Sequence, residues 1–371
     1  MIGPRFAWVI GMFCISTAMV AQQLVSKAPQ SELPGPTLTH RPPPKPKSSA
    51  IPEGRIQIDV VVRDAADKPV TGLQPWDFTT LDNEKPRKIL SFRAFSDDAV
   101  KPDPPVEVIL VIDMLNLPFQ QVAFVRREID EFLRQNGGKL RQPVSLILLT
   151  DKGIRVQPRP SLDGNALAEI AGQIKGSIST INPAMGGEGY VERFQISVKD
   201  MGIIAENEAR KPGRKLLIWV GPGWPLLNRP QDAYSDRTQQ RYFTGIVELT
   251  TRLREARIAV YSVAPSSEQG TQVLLYRQFL KGVKSFRDAD SGNLALKVLA
   301  TETGGQILGP DNNVSGQINR CIEDANSFYR LSFDPPPAGQ ANEYHDLGVS
   351  VSKPGLSVRT TTGYYNQPPG N

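Results

Sequence analysis

Few side chains of this chain have the type and spacing that catalysis requires. The 371 residues include only two histidines, His40 in a proline-rich stretch and His345 near the end of the chain, although histidine is the usual general base of enzymes. No Gly-x-Ser-x-Gly elbow, phosphate-binding loop or Gly-x-Gly-x-x-Gly fingerprint is present. Cys321 stands in a helical pattern that is typical of a buried small residue. The sequence therefore predicts a protein that is not an enzyme.

A second group of residues suits binding instead. Asp113 follows an apolar run that predicts a strand, Asn116 comes shortly after it, and Glu188 and Gly221 lie in later connections. Because the carboxyl ends of parallel strands meet at one edge of a doubly wound sheet, we expect these four residues to form a contact surface there. Trp224 is a candidate aromatic anchor of that surface. Alternatively, its ring covers the end of the sheet.

The first residues have a pattern typical of secretion. Arg5 precedes an apolar run from Phe6 to Ala21, whose about 16 residues are fewer than the roughly 20 that span a bilayer. We predict a signal peptide over residues 1–21, with retention as a membrane anchor as the alternative. Its removal leaves Cys321 as the single cysteine, so no disulfide bond is expected within the mature chain.

Residues 22–52 are rich in proline, serine and lysine and show no apolar periodicity, which predicts a disordered spacer. The formal net charge of +5 comes from scattered lysine and arginine residues. Such scattering is typical of a solvated surface. We therefore expect no nucleic-acid partner, and membrane contact only through an uncleaved signal peptide.

Two β-rich segments flank the middle of the chain. Apolar residues alternate from Ile56 to Val62, and short extended pieces follow up to a proline-rich boundary, so residues 53–101 are predicted to form a β module. Residues 313–371 are predicted to contain a helix and several strands, with 347–351 and 356–360 forming a hairpin. The about 40 residues of β character after that helix can scarcely build their own core. We therefore expect the C-terminal segment to pack on the N-terminal module as a sandwich-like unit.

Strand and helix patterns alternate between residues 105 and 312. The near-continuous apolar run Val106–Ile112 predicts a parallel strand covered on both faces, and Asn116 is a possible cap of the next helix before Pro118. Ile154 to Val156 is expected to be an antiparallel edge strand, because no helical crossover precedes it. A loop is predicted from Ser177 to Gly189, with helices over 191–210 and 246–256. This alternation predicts an α/β fold with a doubly wound, mostly parallel sheet.

The order of these elements resembles the von Willebrand factor A domain over roughly residues 105–310. The first strand, Val108-Ile109-Leu110-Val111-Ile112-Asp113, and the antiparallel third strand contribute to this resemblance. Two flanking segments are similar to those of A-domain-related proteins abundant in Acidobacteria. The first is Val60-Val61-Val62-Arg63-Asp64, followed by Lys68-Pro69-Val70-Thr71-Gly72-Leu73 and Asp77-Phe78, and the second is Val358-Arg359-Thr360-Thr361-Thr362-Gly363-Tyr364-Tyr365.

The resemblance implies a divalent metal held at the sheet edge by Asp-x-Ser-x-Ser and by later threonine and aspartate residues, since Mg²⁺ prefers oxygen ligands. Asp113 matches the first position, but Leu115 and Leu117 replace the two serines. The loop Gly186–Tyr190 lacks the expected threonine, and the strand that normally ends in Thr-Asp-Gly reads Trp219-Val220-Gly221-Pro222-Gly223. We therefore expect a degenerate site without a cofactor, in which Asp113 is the candidate metal ligand and Asn116 and Glu188 are partial substitutes for the missing ones. Alternatively, Asp113 caps the adjacent helix or accepts backbone N–H bonds.

Together these features predict an exported module that binds a protein partner in the cell envelope or outside the cell. A metal-dependent adhesion protein using Mg²⁺ or Mn²⁺ is the first alternative. An envelope hydrolase is the second, although no paired carboxylates stand at a useful spacing.

Overall fold

The structure is a computed structural model that describes residues 54–96, 100–157, 159–173, 187–224, 226, 234–265 and 275–368. The predicted signal peptide and spacer, and most of the predicted loop from Ser177 to Gly189, lie outside these residues. Within the described ranges, no helix is both long enough and apolar enough to cross a membrane. All of these ranges belong to one compact unit spanning residues 48–371.

The N-terminal segment forms four short strands. They are β1 (Ile56–Arg63), β2 (Phe78–Asp82), β3 (Lys85–Arg87) and β4 (Ser91–Phe95). The alternation that predicted β1 places Ile56, Ile58 and Val60 in the interior. Asn83 and Glu84 both have positive φ angles in the turn from β2 to β3, as a two-residue hairpin of the tight type requires.

The middle of the chain alternates between strands and helices. In chain order these are β5 (Glu107–Asp113), α1 (Phe119–Arg134), β6 (Lys139–Thr150), β7 (Gly153–Val156), β8 (Ser161–Asp163), α2 (Gly164–Gly172), α3 (Gly187–Ala209), β9 (Lys215–Val220), α4 (Asp236–Glu255), β10 (Ile258–Val263), α5 (Leu296–Glu302), β11 (Ile307–Leu308) and α6 (Val314–Asn326).

These strands form a mostly parallel seven-stranded sheet in the order β11-β10-β9-β5-β6-β7, with β8 also paired to β6. The first strand of the set, β5, lies in the interior of the sheet, and the chain winds outward from it on both sides. This is the doubly wound arrangement that the sequence predicted. The antiparallel edge strand at Ile154–Val156 is confirmed, since β7 runs against β6.

Side chains of β5 alternate between the two faces of the sheet. Leu110 belongs to the core that includes Ile129 of α1 and Ile318 of α6, whereas Val111 belongs to the core that includes Ile204 of α3 and Leu249 of α4. All seven residues of β5 are buried, as expected for a parallel strand between two layers of helices. Each fully buried side chain of this kind contributes about 1.5–3 kcal/mol to folding.

The C-terminal segment adds β12 (Phe328–Phe333), β13 (Glu343–Val351), β14 (Ser357–Arg359) and β15 (Gly363–Asn366). Two four-stranded antiparallel sheets result, in the orders β14-β1-β12-β4 and β15-β13-β2-β3. Each sheet combines strands from both ends of the described chain, and the two share one core around Ile58, Phe78 and Leu331.

Two predictions about the C-terminal segment need correction. The expected hairpin of 347–351 with 356–360 is wrong, because β13 pairs with β2 and β15 while β14 pairs with residues Val61–Arg63 of β1. The pairing with β14 gives the backbone groups at one edge of β1 hydrogen-bond partners that they would otherwise lack. Helix α6, which the sequence grouped with the β segment, packs on α1 and the α/β sheet through Val314, Ile318 and Cys321.

A buried carboxylate joins the sandwich to the α/β part. Asp324 of α6 is fully buried and accepts hydrogen bonds from Arg63 of β1 at 2.7 Å, Arg359 of β14 at 2.6 Å and Tyr261 of β10 at 2.6 Å. Burial raises the pKa of Asp324, but the charges of Arg359 and Arg63 outweigh that effect and hold it below the ordinary value. A buried carboxylate is stable only with such partners.

Candidate functional site at the carboxyl edge of the sheet

Asp113 is the last residue of β5 and lies at the carboxyl edge of the central sheet. Its carboxylate is fully buried. Oδ1 accepts the backbone N–H of Asn116 at 2.9 Å, both oxygens lie 3.0 Å from the Asn116 side-chain nitrogen, and Oδ2 accepts the indole N–H of Trp219 at 2.8 Å. The carboxylate is therefore surrounded by N–H donors, as in the alternative in which it accepts backbone N–H bonds.

Burial raises the pKa of Asp113 to about 6, because the charged form is desolvated. The hydrogen bonds from Trp219 and Asn116 act in the opposite direction but do not cancel the effect of burial. At neutral pH the group is thus a buried anion held by neutral donors.

Asn116 bridges two elements of the site. Its side-chain nitrogen donates to Ser197 Oγ of α3 at 3.1 Å as well as to Asp113. The possible role of Asn116 as cap of α1 is wrong: the N-cap position is Pro118, without a side-chain hydrogen bond, since the Asn116 amide is turned toward Asp113. Asn116 Oδ1 is buried and has no hydrogen-bond partner in the described part of the chain.

Gly221 follows β9, and its position requires a glycine. Its φ angle is +153°, and a Cβ atom placed there would lie 2.6 Å from Cβ of Asp113. The backbone N–H of Gly221 donates to Val263 O of β10 at 2.9 Å. The absence of a side chain therefore lets β9 approach Asp113 closely.

Trp224 is buried, with 5% of its surface exposed. Its indole N–H donates to Leu294 O at 3.0 Å, and its ring packs edge-on against Trp219 with the centroids 5.2 Å apart. The expectation of an exposed aromatic anchor is therefore corrected: Trp224 covers the end of the sheet, as in the alternative interpretation.

The predicted contact surface is thus not open at the residues expected. Asp113, Asn116, Gly221 and Trp224 are all buried. Glu188 lies in the first turn of α3, but its side chain is outside the described residues. The structure places Asp113, Asn116 and Gly221 together at the sheet edge, but as packed interior.

The residues around Asp113 do not fit a divalent cation. Leu115 and Leu117 have 3% and 6% of their surface exposed and belong to the cores on opposite faces of the sheet. The oxygens of Asp113 accept N–H donors, and the positive ends of these dipoles repel a cation. Across the described ranges, no group of three or more potential ligands among histidine, cysteine, aspartate and glutamate is placed to hold a metal.

Sequence reasoning missed three side chains that build this edge. Trp219 and Ser197 hold Asp113 and Asn116, and Arg193 lies one helical turn before Ser197 on the same face of α3. Trp219 was interpreted only as part of a strand, and nothing in the spacing of α3 indicates which of its polar residues face inward.

Exposed apolar side chains lie around the same edge. Helices α1 and α3 begin there, because each runs back along the sheet from the carboxyl ends of the strands. Phe119, the first residue of α1, is 70% exposed, and Tyr190 and Val191 near the start of α3 are 43% and 41% exposed. Phe119 and Val191 had a signal in the sequence, since Phe119 directly follows Pro118 at a helix start and Val191 begins the helix predicted over 191–210.

No protein-family model matches the chain, and no curated protein matches it in a sequence search. Solved structures similar to it include the human COPII-coat protein Sec24c, with 9% identity and a TM-score of 0.36 over 73% of this chain and 44% of that one. Proximal thread matrix protein 1 from the mussel byssus has 9% identity and a TM-score of 0.32 over 63% and 49%. The open form of the pilus adhesin SpaC from Lactobacillus rhamnosus GG has 10% identity and a TM-score of 0.36 over 77% and 47%. The chain spans less than half the length of each of these structures.

Proposed function

We propose that this chain is a binding module that holds a protein partner at the carboxyl edge of its central sheet, and that it catalyses no reaction. The observation that carries the proposal is the exposure of Phe119, Tyr190 and Val191 at that edge. Large apolar side chains are usually buried. Two aromatic rings at the edge where doubly wound folds bind their ligands therefore support a contact surface.

The buried residues behind this surface give it rigidity. Trp219, Asn116 and Ser197 tie the ends of β5 and β9 to α3 through hydrogen bonds of 2.8–3.1 Å. A surface on a fixed frame loses little conformational entropy on binding. This arrangement supports recognition of a partner through the exposed side chains, with Asp113 acting from inside as a positioning residue.

We further propose that the module belongs to the von Willebrand factor A-like proteins and works in the cell envelope or outside the cell. The strand order and the quoted flanking segments support the first part. The predicted signal peptide over residues 1–21 supports the second. The partner is then a protein of the same compartment, held without a metal.

The experiment compares capture of envelope proteins by the purified chain and by Phe119→Ser and Tyr190→Ser variants. Because both side chains are exposed, the variants should fold normally, which circular dichroism and thermal unfolding check. Trp76→Ser is the matched control, since Trp76 is 78% exposed in the β sandwich. We expect the wild type and the control to retain a partner that both edge variants lose at least tenfold.

Retention of no partner, or equal retention by all four proteins, would contradict the proposal. A repeat in EDTA separates the metal-dependent alternative: we expect retention to persist. Loss in EDTA that Mg²⁺ or Mn²⁺ restores would favour metal-dependent adhesion instead.

A further inference from the structure

Arg193 of α3 has its guanidinium at the carboxyl edge of the sheet. Ser197, one turn later on the same helix face, contacts Asn116, so Arg193 lies one turn closer to the start of α3. Its Nε donates to Gly189 O at 3.3 Å, and its Cζ lies 5.1 Å from the centre of the Tyr190 ring. The residue is 8% exposed.

The terminal nitrogens of Arg193 are uncommitted. A guanidinium has five N–H donors, and Arg193 uses the one on Nε. In the described part of the chain, neither terminal nitrogen makes a hydrogen bond, and Arg193 forms no ion pair. Burial lowers the pKa of Arg193, while the nearby groups Tyr190 and Asp113 raise it in part. The charge is therefore partly desolvated, and the Tyr190 ring and Asp113 compensate for this only in part.

In two other buried arginines, terminal nitrogens donate hydrogen bonds within the chain. Arg63, 2% exposed, donates through its terminal nitrogens to Asp324, Glu323 and a backbone carbonyl. Arg214, 3% exposed, donates through a terminal nitrogen to the backbone carbonyl of Asp324, while its Nε has no hydrogen-bond partner in the described part of the chain. The open donors of Arg193 can therefore bind an anion from outside the chain, and such an anion would offset part of the cost of desolvating the charge.

The chemistry of that partner follows from the donors and their surroundings. The planar guanidinium matches a carboxylate with two parallel N–H bonds, and the start of a long helix adds a favourable dipole. The exposed Tyr190 and Val191 adjoin it, which favours an anion carried beside apolar groups. Asp113 is also near, but its oxygens already accept donors from Asn116 and Trp219.

We propose that Arg193 binds a glutamate or aspartate carboxylate of a protein partner, at a site formed with the exposed ring of Tyr190. This inference rests on the proposed function, because it names the group that the binding surface recognises. The anion is held by the guanidinium alone, without a metal.

The test uses two acetylated, amidated octapeptides of leucine and serine that differ only in a central glutamate or glutamine. Binding is followed at constant ionic strength in EDTA by the NMR shifts of the protein. We expect the glutamate peptide to bind at least tenfold more tightly than the glutamine peptide, as for hydrogen bonds to a charged group. Arg193→Gln should abolish this difference, and Arg193→Lys, which keeps the charge but not the planar donors, should retain part of it.

Arg210→Gln is the matched control, since Arg210 directly follows the other end of α3, is exposed and pairs with Glu206. Equal binding of the two peptides to the wild type, or equal discrimination by the Arg193→Gln and Arg210→Gln proteins, would overturn the proposal. A separate titration uses inorganic phosphate. If phosphate binds through Arg193 and the two peptides bind equally, the site is a phosphate site and the proposal is overturned. If Arg193→Gln does not fold, the preference for the glutamate peptide is compared between the wild type and Arg193→Lys, and this comparison still tests the proposal.

The two proposals fail differently. If capture of the envelope partner depends on Phe119 and Tyr190 but not on Arg193, this inference is wrong and the proposed function stands. If Arg193 discriminates the peptides while no partner is captured through the two rings, the carboxylate site stands and the proposed function is wrong.

Discussion

Asp113→Asn tests the account of the sheet edge through the pH dependence of folding stability. Burial raises the pKa of Asp113 from its ordinary value of 3.8 to about 6. The native chain therefore binds the proton more tightly than the unfolded chain does. Between these two values the native state holds more protons, so its stability falls as pH rises.

The size of the effect follows from the two pKa values. Each tenfold change in proton affinity corresponds to about 1.4 kcal/mol, so the rise from 3.8 to about 6 corresponds to about 3 kcal/mol. This contribution is fully present below pH 3.8 and is lost above about pH 6. Asparagine cannot titrate. The difference in unfolding free energy, wild type minus Asp113→Asn, should therefore fall by about 3 kcal/mol between pH 3.5 and pH 7.

Urea unfolding of both proteins at a series of pH values measures this difference. The new amide also changes the hydrogen bonding with the N–H donors around it, but this change does not depend on pH. It therefore shifts the difference in unfolding free energy by a constant and leaves its slope against pH unchanged. Glu206→Gln is the control. Because Glu206 is exposed on α3, this variant should show the same dependence of unfolding free energy on pH as the wild type. A difference that stays flat across the range, or that rises with pH, would refute the reasoning.

Two further predictions concern packing. Asp324→Ala leaves the buried Arg63 and the half-buried Arg359 without their carboxylate and should lower the unfolding free energy by about 3–5 kcal/mol. Asp334→Ala, which removes an exposed ion-pair partner, should change it by less than about 1 kcal/mol. Urea unfolding at pH 7 compares the two variants. Gly221→Ala brings a Cβ within 2.6 Å of Cβ of Asp113 and should cost about 1–3 kcal/mol. Gly202→Ala, at a helical position with open space, should be neutral or stabilise the fold by up to about 1 kcal/mol. Equal midpoints of urea unfolding for these two glycine variants would contradict the close approach of β9 to Asp113.

The sequence predicted those elements whose pattern comes from burial on their own faces. The run at β5 is apolar throughout because both faces are covered, and its ends were predicted within one residue. Helix α4 was predicted only from Ile246, although it starts at Asp236 after the Ser235 cap. Its first half faces largely outward, so no apolar periodicity marks it.

Pairing between distant segments was harder to predict than the strands themselves. The segments of β13 and β14 were recognised as extended, but a hairpin is only the nearest of several possible pairings. The observed pairing with β2 and β1 depends on the register of segments more than 250 residues apart, which local patterns do not contain.

The candidate site shows the same limit. The topological rule placed Asp113 and Gly221 at one edge correctly, because that depends only on the order of the strands. Whether the carboxylate meets a cation or an indole N–H depends on which way Trp219 and Asn116 point, and rotamers are decided by packing. Trp224 was left open between anchor and cover for the same reason.

Leu115 and Leu117 explain why this edge is interior rather than an open oxygen cage. Hydroxyl side chains there would supply ligands, but each of these leucines is at least nine-tenths buried in a different core. Replacing a buried leucine by a small side chain costs about 2–5 kcal/mol, so restoring both oxygens would remove much of the roughly 5–15 kcal/mol that separates folded from unfolded proteins. Packing thus turns Asp113 from a surface group into the inner support of the edge. What remains for a partner is the outer layer, the rings of Phe119 and Tyr190 and the open donors of Arg193.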